Sequence, residues 1–258
     1  MKFFACIKQV PDLSVPMQIR DGKVEQDNER LMLNAYDASA VEEALTLIEK
    51  YGGDLEVVLI GPDKAKETIR KALAMGASQG HHIVMDTDGL DSESYASILA
   101  AFFKDKEYDV IATGKQSQDT DAGLTGAMLA QKLDLPYGAN AVGLDIEDSS
   151  MIVTRQGDTG QEILEVPTPC LVTCSNDMNE PRIPSLKGIM KSKKKPMENL
   201  TPEDLQVSVD SLKSETVRTE VTEYQPVPER EPGQQFEGEP EELAQKLTDL
   251  LQNEAKVL

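Results

Sequence analysis

Through its first two-thirds the chain alternates apolar runs of strand length with segments whose apolar residues recur at helical spacing. That alternation admits little other than a parallel sheet covered by helices on both faces, because each parallel strand needs a crossover before the next can pair. Residues 3–10 read as a buried first strand. Ala38, Val41, Leu45 and Ile48 mark the apolar face of a first helix, which Asn34 or Asp37 would cap and Gly52-Gly53 would end. Between them, residues 15–29 read as an irregular excursion with a hairpin turn at Asp21-Gly22. Residues 55–60 form a second strand. Asp63 is placed to cap the helix striped by Ala65, Ile69, Ala72 and Leu73, with Gly76 at its end. A strand opened by His81 and His82, a helix over 92–104 and a strand over 108–113 complete this run.

Residues 114–126, G-K-Q-S-Q-D-T-D-A-G-L-T-G, carry the most chemistry. They follow the strand over 108–113 and lead into a helix in which Leu124, Met128, Leu129 and Leu133 recur. A glycine-bearing loop between strand and helix presents backbone N–H groups and the positive end of the helix dipole to an anion. Gly114, Gly123 and Gly126 allow close backbone approach, and Ser117, Thr120 and Thr125 supply hydroxyls for phosphate oxygens or for a cap. Neither G-K-[ST] nor G-x-G-x-x-G occurs in the loop, so the pattern equally describes an ordinary capped connection. Ligands of such sheets sit outside the carboxyl ends of the strands, where strand order reverses. The strand ends near Cys6, at Ile60 and at Gly114 are therefore expected to converge on one crevice.

From residue 139 the pattern changes. Segments 139–146, 151–156, 161–166 and 169–175 are short and alternating, and Asp158-Thr-Gly160 supplies a hairpin turn; they read as an antiparallel edge and a last strand. The segment 179–195 begins in two prolines and would be helical over 185–194. Residues 201–238, rich in Glu, Pro, Gln and Thr, have no core of their own. Leu243, Leu247, Leu250 and Leu251 then stripe a final helix that needs a surface, expected on another chain. The fold expected is α/β: a Rossmann-like, doubly wound, mostly parallel sheet over residues 1–200, followed by an acidic arm and helix over 201–258.

The net charge of −20, from 46 acidic and 26 basic residues, argues against nucleic-acid binding. Lys187, Lys191, Lys193, Lys194 and Lys195 nevertheless crowd behind Arg182, either as a solvated loop or as a docking surface for an acidic partner. No run approaches the roughly 18 apolar residues of a membrane span, and the first residues are too short for a signal peptide. The expectation is a cytoplasmic protein, or a mitochondrial-matrix one in a eukaryote, without membrane insertion. Cys6, Cys170 and Cys174 read as reduced, buried thiols, the last two on one face of a strand. Two adjacent histidines make no metal cluster. Neither a metal nor a catalytic acid, base or nucleophile is expected.

Several separated segments together resemble the β subunit of electron transfer flavoprotein. They are Ile7-Lys-Gln-Val-Pro-Asp12, Asn34 followed by Ala40-Val-Glu-Glu-Ala44, Glu67-Thr-Ile-Arg-Lys-Ala-Leu-Ala-Met-Gly-Ala77, Gly114-Lys-Gln116, Thr125-Gly126, and Asn179-Glu-Pro-Arg182 with residues 186–195. The resemblance implies an electron-carrier subunit paired with an α subunit that holds most of an FAD. Its electrons would come from flavin-dependent dehydrogenases, such as the acyl-CoA dehydrogenases of fatty acid β-oxidation, and pass to the electron transfer flavoprotein–quinone oxidoreductase. In non-bifurcating members β holds an AMP with no redox role. By motif, the AMP site implied here comprises Cys6, Asn34, Ala35, Tyr36, Asp37 and Ile60. The loop Gly114, Lys115, Gln116, Ser117, Gln118, Asp119, Thr120, Asp121, Ala122, Gly123, Leu124 and Thr125 completes it. The family's dehydrogenase-docking loop maps onto residues 179–195, with Leu186 as the exposed anchor and Arg182, Lys187 and Lys191 as cations around it.

The chain departs from the family in three places. Bifurcating members, in which a second FAD replaces AMP, typically read D-G-D-T-A-Q-V-G in this loop, which is absent here. AMP-binding members often carry Asn-Gln where this chain has Gly123-Leu124, leaving backbone N–H groups and Thr125 for the phosphate. Arg155-Gln156 stands where many relatives have Arg-Glu near the flavin. A bifurcating β subunit and a stand-alone adenine-nucleotide sensor or hydrolase are the alternatives.

Overall fold

The computed structural model describes residues 1–15, 18–25, 30–226, 228 and 232–257. At its centre lies β1 (Lys2–Ile7). Phe3, Ala5 and Ile7 enter the core on one face, and Phe4 and Cys6 the core on the other. A strand apolar at consecutive positions fits only where both faces are covered. On one side of it stand β2 (Asp54–Gly61) and β3 (Gln79–Val84), and on the other β4 (Val110–Gly114), all parallel. The chain thus builds outward through β2 and β3, then crosses back over β1 to place β4, so strand order reverses between β1 and β4.

Beyond β4 come β5 (Tyr137–Glu147), β6 (Ser150–Gly157), β7 (Gly160–Pro167) and β8 (Cys170–Cys174), with β9 (Met197–Leu200) at the far edge. Among the described residues they form one nine-stranded sheet, ordered β7-β6-β5-β8-β4-β1-β2-β3-β9. The β5-β6-β7 meander is antiparallel and the rest is parallel. Helices α1 (Ala35–Tyr51) and α2 (Lys66–Met75) cover the Phe3 face; α3 (Ser92–Phe103) and α4 (Thr125–Leu133) cover the Phe4 face. A Cβ on Gly126 would stand 2.5 Å from Thr173 Cγ2 and 2.9 Å from Thr113 Oγ1, so only glycine lets α4 lie this close to the sheet.

Some local expectations resolve differently. Asp63 does not cap α2: it opens a short 3₁₀ turn, and its carboxylate pairs with Lys66 at 2.7 Å. His81 and His82 lie within β3, both buried. The His81 ring stands 2.6 Å from Glu56 and 2.7 Å from Glu198, which ties the unanticipated strand β9 to the sheet. Asp21 and Gly22 form a hairpin turn, with φ of 52° and 72° as a two-residue connection requires; residues 16–17 and 26–29 of that excursion lie outside the described residues.

The polar arm is also less uniform than its composition suggests. Leu205, Val207, Val209 and Leu212 pack against the Phe4-face core, with Leu212 only 4% exposed. The compact unit accordingly continues past Leu200 to Tyr224, and residues 225–258 form a second unit. Between Ser185 and β9 lies α5 (Leu186–Ser192). The second unit contains α6 (Pro240–Asn253), which starts on a proline with Glu241 and Glu242 in its first turn and has no buried residue.

Candidate functional site

The carboxyl ends of β1, β2 and β4 open into one cleft of about 1160 Å³. Asp37, in the first turn of α1, ties two of those ends together. Its Oδ2 accepts the Lys8 N–H at 2.8 Å and its Oδ1 accepts the Gly114 N–H at 2.9 Å. Burial pushes the Asp37 carboxyl up to about 7, against the pull of these donors and the Asn34 amide. Any Cβ at Gly114 would collide with Asp37 and Tyr36, so this junction requires glycine.

Asn34 stands at the start of α1 without capping it. Its Nδ2 donates to the Gln116 carbonyl at 2.9 Å and its Oδ1 accepts the Gln118 N–H at 3.1 Å. Gln118 Oε1 in turn accepts the Ala35 N–H at 3.1 Å, supplying from the loop an acceptor for the helix terminus. Within the loop, Gln116 Nε2 donates to Asp121 at 2.8 Å, the Ser117 and Thr120 hydroxyls meet at 2.9 Å, and Gly123 takes a φ of +61°. Lys8 Nζ reaches into the loop, donating to Asp119 at 2.8 Å and to Ser117 Oγ at 3.3 Å, and lies 5.7 Å from the centre of the Tyr95 ring. Leu124, at the start of α4, offers no side-chain acceptor, so the positive end of α4 stands uncapped where Thr125 and Gly126 line the cleft.

Of the residues expected in the site, Cys6, Asn34, Asp37, Ile60, Gly114, Lys115, Gln116, Ser117, Asp119, Thr120, Ala122, Gly123 and Thr125 line the cleft. Ala35, Tyr36, Gln118, Asp121 and Leu124 are not among its lining residues. Gln118 and Asp121 brace the loop, Tyr36 lies 5.5 Å from the Lys115 ammonium, and Leu124 is exposed. Burial pushes the Cys6 thiol well up, which leaves no thiolate there to react.

The opposite wall has no counterpart in the sequence reading. It is formed by residues of the β3–α3 connection and by a strap from the arm, including Lys213, Val217, Thr219, Val221 and Tyr224. Asp91 joins the two. One oxygen caps α3 by accepting the Ser94 N–H at 3.1 Å; the other accepts the N–H groups of Arg218 at 2.7 Å and Thr219 at 3.0 Å. A polar stretch with no periodicity reveals such a strap only once the aspartate it meets is known.

The segment 179–195 lies apart from the cleft residues. Ser185 caps α5 by accepting the Gly188 N–H at 3.1 Å. Ile183 is 92% exposed, Leu186 76% and Met190 65%. Lys187 and Lys191 are exposed and form no ion pair among the described residues. Arg182, expected among the docking cations, is instead engaged by its own chain: the guanidinium meets Glu42 at 2.8 Å and Glu49 at 2.6 Å. Hydrogen bonding from Arg182 holds the Glu49 carboxyl below its usual range. Lys195 is engaged likewise, donating to the Leu73 and Gly76 carbonyls at the end of α2 at 2.9 and 3.1 Å. Among the described residues no His, Cys, Asp or Glu cluster is arranged to hold a metal, and no helix is long and apolar enough to cross a membrane.

Comparison with known proteins bears on the same residues. A model of the electron transfer flavoprotein domain matches residues 21–205. The chain is 36% identical to electron transfer flavoprotein subunit beta of Bacillus subtilis and 38% identical to that of Bradyrhizobium diazoefficiens, in both cases over the whole of each chain. It is 35% identical to the caffeyl-CoA reductase-Etf complex subunit CarD of Acetobacterium woodii over 82% of each chain. With the family domain spanning most of the compact unit and the likeness to β subunits running its full length, this chain belongs to the electron transfer flavoprotein family as a β-type subunit.

Proposed function

We propose that the chain is the β subunit of a heterodimeric, non-bifurcating electron transfer flavoprotein that binds AMP as a structural nucleotide in the cleft between β1 and β4. The observation that carries this reading is the uncapped start of α4 beside a cleft at the strand-order reversal. The residues present fit a mononucleotide. Cys6 and Ile60 offer an apolar wall suited to a base, while Ser117, Thr120, Thr125 and the first-turn N–H groups of α4 suit a phosphate. Lys8 is already paired with Asp119, so the anion would be met chiefly by backbone and hydroxyl donors.

FAD, held mainly by the α subunit, supplies the redox chemistry. This chain contributes the partner surface and the docking of dehydrogenases, which needs no acid, base or nucleophile of its own. Leu186, presented at 76% exposure beside Lys187 and Lys191, anchors flavin dehydrogenases such as acyl-CoA dehydrogenases. The lysines steer an acidic partner and keep the contact exchangeable. Electrons then pass to the electron transfer flavoprotein–quinone oxidoreductase. One observation favours the bifurcating alternative: the cleft exceeds the roughly 300–1,000 Å³ of ordinary small-molecule pockets, which leaves room for a dinucleotide.

Nucleotide analysis separates these readings. The chain is co-expressed with its α-type subunit, the purified complex is denatured, and the released nucleotides are quantified. About one FAD and one AMP per dimer supports the proposal. Two FAD and no AMP would assign the cleft to a second flavin. A monomer without flavin would favour the stand-alone sensor or hydrolase.

A further inference from the structure

We propose that Arg182 is the positioning residue of the docking segment: clamped on Glu42 and Glu49, it holds Ile183 and Leu186 in the conformation a dehydrogenase meets. The inference rests on the docking reading of Leu186 given above. It concerns how that surface is presented, and assigns Arg182 to the presentation rather than to the contact.

Upstream of α5 no helix or strand orders the segment. Residues 179–185 carry no regular structure, and Pro181 and Pro184 bracket Arg182 and Ile183. The apolar side chains that follow are turned outward, with Ile183 at 92% and Leu186 at 76% exposure, so burial does not hold them. Polar clamps hold the two ends instead. Upstream, Asn179 Nδ2 donates to the Ser39 carbonyl at 3.1 Å and to Glu43 at 2.9 Å. The Arg182 N–H donates to Glu42 Oε2 at 2.9 Å, its Nε to the same oxygen at 2.8 Å, and its Nη2 to Glu42 Oε1 at 2.9 Å. Its Nη1 reaches Glu49, two turns further along α1, at 2.6 Å. Only a planar fork spans two carboxylates in this way; a lysine ammonium has no such geometry.

Downstream, Arg70 donates to the Ser192 carbonyl at 2.6 Å and to the Lys195 carbonyl at 3.0 Å. Gly188 lies so close to α2 that a Cβ would stand 2.5 Å from the Ala74 carbonyl oxygen. The apolar knob is therefore a taut span between α1 and α2. Arg182 also occupies both α1 carboxylates with its own guanidinium, and Lys187 and Lys191 remain as the cationic rim for a partner whose apolar pocket is rimmed by carboxylates. Without the clamp, ordering the span becomes part of the binding step and weakens docking without touching the flavin.

The test uses the co-expressed complex, with a purified acyl-CoA dehydrogenase as the varied electron donor. Arg182→Gln should raise the KM for the dehydrogenase about three- to ten-fold, with kcat, FAD content and nucleotide content unchanged. Arg182→Lys, which keeps the charge but loses the fork, should recover only part of this. Because Arg182 acts through the anchor, adding Arg182→Gln to Leu186→Ala should do little beyond Leu186→Ala alone. If Leu186→Ala raises KM and Arg182→Gln does not, the positioning role is overturned. Full recovery by Arg182→Lys would overturn the fork, and loss of flavin or of subunit association in Arg182→Gln would place the residue in the fold instead. If Leu186→Ala itself changes nothing, it is the docking reading that fails.

Discussion

Asp37 joins two strand ends through two backbone N–H groups, and its burial has a consequence that can be measured. Its carboxyl rises from an ordinary 3.8 to about 7 in the folded chain. Between about pH 4 and about pH 7 the folded state thus holds a proton that the unfolded state has released. Stability contributed at this site falls as pH rises through that window, by at most about 1.4 kcal/mol per pH unit. Asp37→Asn removes the titration, so the variant's unfolding free energy in urea should lack this component of the pH slope. Identical slopes for the two proteins would show that Asp37 remains ionised throughout. Asp37 was visible in the sequence as a potential helix cap and, through the resemblance, as a nucleotide-site residue; its acceptor role depends on Lys8 and Gly114 arriving at the ends of two strands.

At the scale of elements, the strap over residues 213–224 and the start of α3 meet on a single carboxylate. A serine at position 91 still caps α3 through one oxygen but cannot also hold the Arg218 and Thr219 N–H groups. Asp91→Ser should therefore leave α3 and the dehydrogenase KM intact while speeding nucleotide exchange on the order of ten-fold. The measurement is displacement of bound nucleotide by labelled AMP in the assembled complex. Unchanged exchange would mean that the strap does not gate the cleft. The loop over 114–126 was legible as an anion-binding candidate because glycines and hydroxyls between a strand and a helix are a local signal. The strap was not, because Val217 and Val221 are scattered through polar residues and show no period.

At the scale of the whole molecule, the compact unit ends at Tyr224, and α6 lies beyond it with no buried residue of its own. Its leucine stripe suits a partner surface, and burying a leucine stabilises by about 1.5–3 kcal/mol. Removing residues 239–258 should leave the compact unit folded, with its unfolding midpoint little changed. The same truncation should raise the dissociation constant of the complex with the α-type subunit at least about 100-fold, as read by sedimentation. An unaltered dissociation constant would send the stripe back to some role within the chain.

What this sequence determined by itself is the alternation of strands and helices and the place of the glycine-bearing loop behind the strand over 108–113. Each follows from apolar periodicity and glycine placement, which are local properties of the backbone. Only the tertiary structure decided which polar side chains work in the cleft and which are structural. Arg182 meets Glu42 across 140 positions, and Asp91 meets Arg218 across 127. A charged residue reads the same in sequence whether it faces water or a distant carboxylate. Its partner, and with it its role, exists only once the chain has brought the two together.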